Sequence, residues 1–71
     1  MPERDLEEGE RVGRFVVLRD TEGRLHAVAA TSVCAICEDD GGALLLLPGG
    51  RMIRVDRGME TVLGWLACLP R

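Results

Sequence analysis

Lysine, asparagine, glutamine and tyrosine are missing from this 71-residue chain, and histidine, serine, phenylalanine and tryptophan occur once each. Each absence excludes something. Without lysine the GxxxxGK[S/T] phosphate loop cannot be written, and no GxGxxG fingerprint is present either. The pairs Gly41-Gly42 and Gly49-Gly50 therefore read as hairpin turns. The lone Ser32 lacks the surroundings of a nucleophile elbow. The lone His26 reads as a packed or surface residue, so no catalytic residue is assigned and the chain is expected not to be an enzyme. Phe15 and Trp65 are the only aromatics, too few for a base-stacking platform. Long apolar runs are missing too. The longest aliphatic stretch is Ala43 to Leu47 and the apolar C-terminal stretch is Val62 to Leu69, whereas a membrane span needs about 20 residues. The opening Met1-Pro2-Glu3-Arg4-Asp5 is acidic and has no basic-then-apolar signal pattern. The expectation is a cytoplasmic protein without membrane insertion.

The residues that are present describe a small folded unit. The chain is 46% apolar and 30% charged, a globular balance. At this length a domain buries only roughly 60% of the surface its unfolded chain exposes, so a lone core is marginal. Arginine supplies all nine positive charges, a bias that codon composition explains without invoking phosphate binding. The net charge of −3 is uneven. Residues 1–10 hold five acids against Arg4, a net −4, while residues 11–71 hold eight arginines against seven acids, a net +1. Block charge at a terminus points to a solvated segment. Residues 1–11 are expected to be an acidic mobile tail and residues 12–71 a single domain. A basic nucleic-acid footprint is absent, so nucleic acid is an unlikely partner.

From Val12 onward, short apolar runs alternate with turn residues. Arg14–Arg19, Arg24–Ala30, Ser32–Glu38, Ala43–Leu47 and Arg51–Val55 read as five short strands. Leu25, Ala27 and Ala29 share one face of the second, with Arg24, His26 and Val28 on the other. The connections are too short for parallel crossovers. After Asp56 the period changes: Met59, Val62, Leu63 and Leu66 stand at helical spacing. Asp56 is the expected N-cap, Pro70 the stop, and Gly64 a site of close helix–sheet approach. The fold class is mainly β (α+β): about five antiparallel strands in a meander or small barrel, followed by one C-terminal amphipathic helix.

Cys34-Ala35-Ile36-Cys37 is a CxxC, and with Cys68 and His26 it supplies the ligand types of a Cys₃His zinc site. Its place in a run of strand formers should turn the two sulfurs to opposite faces. The reading is buried structural thiols, with no metal and no cofactor. The acids Glu38, Asp39 and Asp40 lack EF-hand spacing and read as turn solvation. Arg51, Arg54 and Arg57 could contact an anion, or could simply charge an edge strand against aggregation.

Leu44, Leu45, Leu46 and Leu47 are the most informative run. Consecutive strand side chains point to opposite faces, and one helix covers only one of them. Burying two leucines is worth roughly 3–6 kcal/mol, so something must cover the second face. It is either a closed barrel or another subunit. The expected interface is Phe15 and Val17 with Leu44, Leu45, Leu46 and Leu47.

The stretch from Val33 to Leu66 resembles the small bacterial flagellar FlbD (SwrD) family. Leu45-Leu46-Leu47-Pro48-Gly49-Gly50-Arg51-Met52-Ile53-Arg54-Val55, then Met59-Glu60-Thr61-Val62-Leu63-Gly64-Trp65-Leu66, follow its hairpin and helix. Pro-Gly-Gly stands where Asn-Gly looks typical, and the acidic N-terminal extension is a further departure. The layout also looks like a shortened LytTR-type DNA-binding domain. The resemblance implies a non-catalytic accessory protein and brings no active-site residue. The functional expectation is a non-enzymatic protein-interaction module. It would form a homodimer through an apolar sheet face and serve a further, unidentified protein partner. The alternative is a nucleic-acid-binding regulator using Arg51, Arg54 and Arg57.

Overall fold

In a computed structural model, residues 5–67 are described. Six strands and one helix follow in chain order: β1 (Arg11–Val12), β2 (Phe15–Arg19), β3 (Leu25–Ala29), β4 (Ala35–Asp39), β5 (Gly42–Leu47), β6 (Arg51–Val55) and α1 (Met59–Leu66). The strands form two antiparallel sheets, β1-β2-β3 and β4-β5-β6, rather than one meander. A 3-10 turn at Ala30–Ser32 makes the break. It takes Ser32 from the expected third strand, Val33 and Cys34 lead out of it, and β4 starts at Ala35.

Turn chemistry sets the β4-β5 and β2-β3 hairpins. Asp40 and Gly41 both have positive φ, 50° and 81°, which is the two-residue turn that twists with its strands. It sets the register Asp39↔Gly42 through Ala35↔Leu46. Between β2 and β3, Oδ1 of Asp20 accepts the backbone amides of Glu22 and Arg24, each at 2.9 Å. A side chain thereby holds the turn shut. The two sheets touch where Asp20 bridges Val55 and the Thr21 amide donates to the Arg54 carbonyl at 3.0 Å.

One core lies between the sheets. Val16, Leu18, Val28, Ala43, Leu45, Ile53, Val55 and Val62 form it, with Ile36, Leu47, Trp65 and Leu66 packed at its margin. On β5, Ala43, Leu45 and Leu47 face inward, and Leu44 and Leu46 face out. Covering two of the four leucines, Leu45 and Leu47, is therefore internal work, done by the sheet β1-β2-β3 and by Val62 of the helix. The helical stripe differs from expectation by a small rotation. Val62 is buried and Trp65 joins Leu66 on the core, while Leu63 is 46% exposed. The N-cap is Gly58 and not Asp56, and no side chain caps the helix. Gly64 is exposed with open space around it, so it mediates no close approach. Pro70 and Cys68 lie outside the described residues.

The expected border after residue 11 falls inside the sheet. The Gly9 amide donates to the Val17 carbonyl at 2.7 Å, and the Val17 amide donates to the Glu10 carbonyl at 2.9 Å. Arg11 and Val12 pair with Val16 and Phe15. Charge counting missed this because backbone pairing needs no apolar side chain. Gly9 has φ 86°, and a Cβ there would stand 2.6 Å from the Trp65 ring. Residues 9–12 are thus tied both to β2 and to the helix.

Candidate functional site

The two sheets are joined at one end and open at the other. Between the outer strand β3 and the start of β6 lies an open cleft of about 400 Å³. Its walls are Phe15, Val28, Leu47, Pro48 and Ile53, with His26, Ser32 and Arg51 as polar groups. Arg14 stacks over the Phe15 ring at 5.4 Å from the centroid.

His26 and Asp20 are a pair. Nε2 of His26 lies 2.7 Å from Oδ2 of Asp20. An ionised carboxylate only accepts, so the imidazole donates. That hydrogen bond, then the Arg24 and Glu22 amides, hold the Asp20 carboxyl down at about 2. The lowered value belongs to a turn whose acceptor is fully used, a structural cause. The Ser32 hydroxyl donates to the Ala29 carbonyl at 2.8 Å. His26 and Ser32 share the cleft, yet each is committed to a partner of its own.

The three arginines separate. Arg54 pairs with Asp39 across the outer face of the second sheet. Arg57 donates to Oε1 of Glu8 through Nε at 3.1 Å and Nη2 at 3.0 Å. Arg51 is exposed at the cleft mouth, without an ion pair among the described residues. An anion site needing all three together has no geometric basis, because two already hold carboxylates and they lie on different surfaces.

The expected interface residues separate as well. Leu45 is fully buried and Leu47 packs on the core, so neither faces a neighbour. Val17 is buried and Phe15 opens on the cleft. Leu44 and Leu46 remain, half-buried on the outer face. The register sets Leu46 between Ala35 and Met52, and Leu44 between Cys37 and Arg54. Ala35, Cys37 and Met52 are exposed, Met52 to 62%.

Cys34 and Cys37 are free and exposed, not buried. The cause is position. Cys34 precedes the strand, and Cys37 lies on the outer face of β4, an edge strand. Among the described residues no three His, Cys, Asp or Glu side chains come together as a metal site requires.

Sequence reasoning missed Asp20, Met52 and the cleft. A signal existed for Asp20: it sits six residues before His26 across a turn, so closing the hairpin brings the two together. Met52 shares strand parity with Arg54, the outward-facing cation. Nothing in the sequence marked the cleft, which depends on two sheets meeting at one end only.

Compared with known proteins, the chain matches no family model, no curated protein and no solved structure. The class that the fold defines is a small two-sheet β protein with a C-terminal helix, and no helix among the described residues is long and apolar enough to cross a membrane.

Proposed function

We propose that this protein is a non-enzymatic interaction module that pairs with a second copy of itself. The pairing face is the outer face of β4-β5-β6. The observation that carries the reading is the contiguous apolar surface Ala35, Cys37, Leu44, Leu46 and Met52, outward on three adjacent strands. Joined apolar patches of this kind mark contact surfaces. Identical chains most often close such a contact with a twofold axis. The Arg54–Asp39 pair at the rim carries both charges, so among the described residues the face holds no unpaired like charges to repel a second copy. The non-enzymatic part is supported by the Ser32 hydroxyl, which donates to the Ala29 carbonyl and not to His26. An accessory role of this sort is what the FlbD-like layout of residues 33–66 implies.

The test is the mass in solution. Light scattering at micromolar concentration should give twice 7.7 kDa. Met52→Asp, at an exposed position, should return the monomer with an unchanged circular dichroism spectrum. Leu46→Asp should do the same, whereas Leu45→Asp should unfold the chain. A monomeric wild type would refute the proposal, as would a dimer indifferent to Met52→Asp.

A further inference from the structure

The cleft between β3 and β6 has three properties that the pairing face does not explain. Its walls are apolar. Its ionisable lining groups are Arg51 and His26, with no carboxylate among them. Asp20, which holds His26, lines the adjoining recess instead. One wall is also a strand edge: β3 is the outer strand of β1-β2-β3. Within a strand, half of the amides and carbonyls point away from the paired neighbour, so the far side of β3 carries backbone groups open to another chain. Ala27 and Ala29, which line the cleft from the opposite face of β3 to Val28, are small and leave room for a backbone to approach that edge.

We propose that this cleft binds an extended, acidic peptide segment of a partner protein, added as a strand along the free edge of β3. Main-chain hydrogen bonds to β3 give the segment its direction and part of its affinity. Alternate side chains of an extended peptide fall on opposite faces. Those on one face meet Val28, Leu47 and Ile53 on the core side, and those on the other pass Phe15 beside Ala29. A carboxylate on the segment meets the guanidinium of Arg51, the lining arginine that has no ion pair among the described residues, and a planar fork suits that anion. Arg14, held over the Phe15 ring, adds a second positive charge next to the cleft. Charge complementarity thus selects an acidic occupant over a basic one, and the apolar wall selects a peptide with aliphatic residues between its acids. Leu44 and Leu46 of the self-association face do not line the cleft, while Met52 lies at its border, in the adjoining recess.

The test uses the full chain and a fluorescein-labelled heptapeptide of alternating valine and glutamate. A second heptapeptide has lysine in place of glutamate. Fluorescence anisotropy should show saturable binding of the acidic peptide and none of the basic one. Amide shift changes in a nitrogen-15 spectrum should cluster at residues 26–29 and 51. Arg51→Ala should weaken binding about tenfold, the size expected when a charged hydrogen-bond partner is lost. Arg24→Ala, on the turn away from the cleft, should leave it unchanged. Both positions are exposed, and amide dispersion reports the fold of each variant. The proposal is overturned by equal binding of both peptides, by binding indifferent to Arg51→Ala, by shifts located elsewhere, or by no binding at millimolar peptide. Because Leu46 lines neither the cleft nor the adjoining recess, a Leu46→Asp monomer should still bind the acidic peptide. Loss of binding in that monomer would overturn the separation of the two sites.

Discussion

Gly42→Ala is a single-methyl test of how rigidly the two sheets are closed. Gly42 opens β5, is buried, and lies outside the positive-φ glycines, so its backbone suits alanine. The obstacle is space. A Cβ there would stand 2.5 Å from the Val55 carbonyl oxygen. That atom is backbone, and Val55 is also the residue that Asp20 bridges from the other sheet. It cannot rotate away as a side-chain tip would. Relief requires β5 and β6 to separate beside the junction of the sheets. Overpacking of this kind costs about 1–3 kcal/mol, and the rigid neighbour argues for the upper half of that range. A domain of this length has roughly 4–11 kcal/mol of stability in all. The melting temperature should therefore fall by about 10–20 °C. Gly64→Ala is the internal control. Gly64 lies within α1, exposed, with nothing near its Cβ position. Alanine there should gain about 0.5–1 kcal/mol from helix propensity and raise the melting temperature by a few degrees. Thermal melts followed by circular dichroism in one buffer measure both. A Gly42→Ala protein melting within about two degrees of wild type would refute the rigid closure. If Gly64→Ala were destabilising, the helix would be packed on its Gly64 side after all.

Asp20 sets an acid limit. Its folded value of about 2 lies below the ordinary 3.8, so its stabilising contribution is complete above about pH 4 and is lost as pH falls toward 2. Melting temperature against pH should drop across that window, and Asp20→Asn should flatten that part of the curve while lowering stability at pH 7. Gly9→Ala meets both a positive φ and the Trp65 ring, whereas Gly13→Ala meets only a positive φ in open space. The first should cost about 2 kcal/mol or more and shift Trp65 fluorescence, the second about 1 kcal/mol without a fluorescence change. Val62→Ala removes the fully buried anchor of the helix. It should cost about 2 kcal/mol in urea unfolding and expose Trp65 to quencher. Arg57→Ala, at an exposed ion pair with Glu8, should cost less than about 1 kcal/mol, and that difference should vanish in high salt.

The local elements were legible wherever residue chemistry acts at short range. Asp40-Gly41 writes its own turn, the aliphatic runs write β2, β5 and β6, and the spacing of Met59, Val62 and Leu66 writes α1. Errors collected where a distant neighbour decides. Ser32, Val33 and Cys34 read as strand because they continue a β-forming run, yet the chain must change sheets there. Residues 9–11 read as tail because they are charged or small, yet their backbone pairs with β2. Leu63 and Trp65 exchanged roles because a helix of eight residues shows too few turns for its stripe to be located to better than one position.

The tetraleucine shows why the site was harder to read than the fold. Strand alternation correctly divides it into Leu45 with Leu47 and Leu44 with Leu46, but alternation has no sign. It cannot say which pair faces inward. The sign comes from β6, where Ile53 and Val55 alternate with Met52 and Arg54. Of the two cations on that strand, Arg51 stands exposed at its start, whereas Arg54, in its interior, cannot join an apolar core without a buried partner. Pairing Leu45 with Ile53 and Leu46 with Met52 then fixes the inner face for the whole sheet. The register follows from the tight Pro48–Gly50 connection, so the information was in the sequence but spread over two strands and a turn. What remained outside it is the width of the cleft at Arg51. That width depends on how two separately formed sheets meet, a contact written by eight core side chains drawn from four strands and a helix.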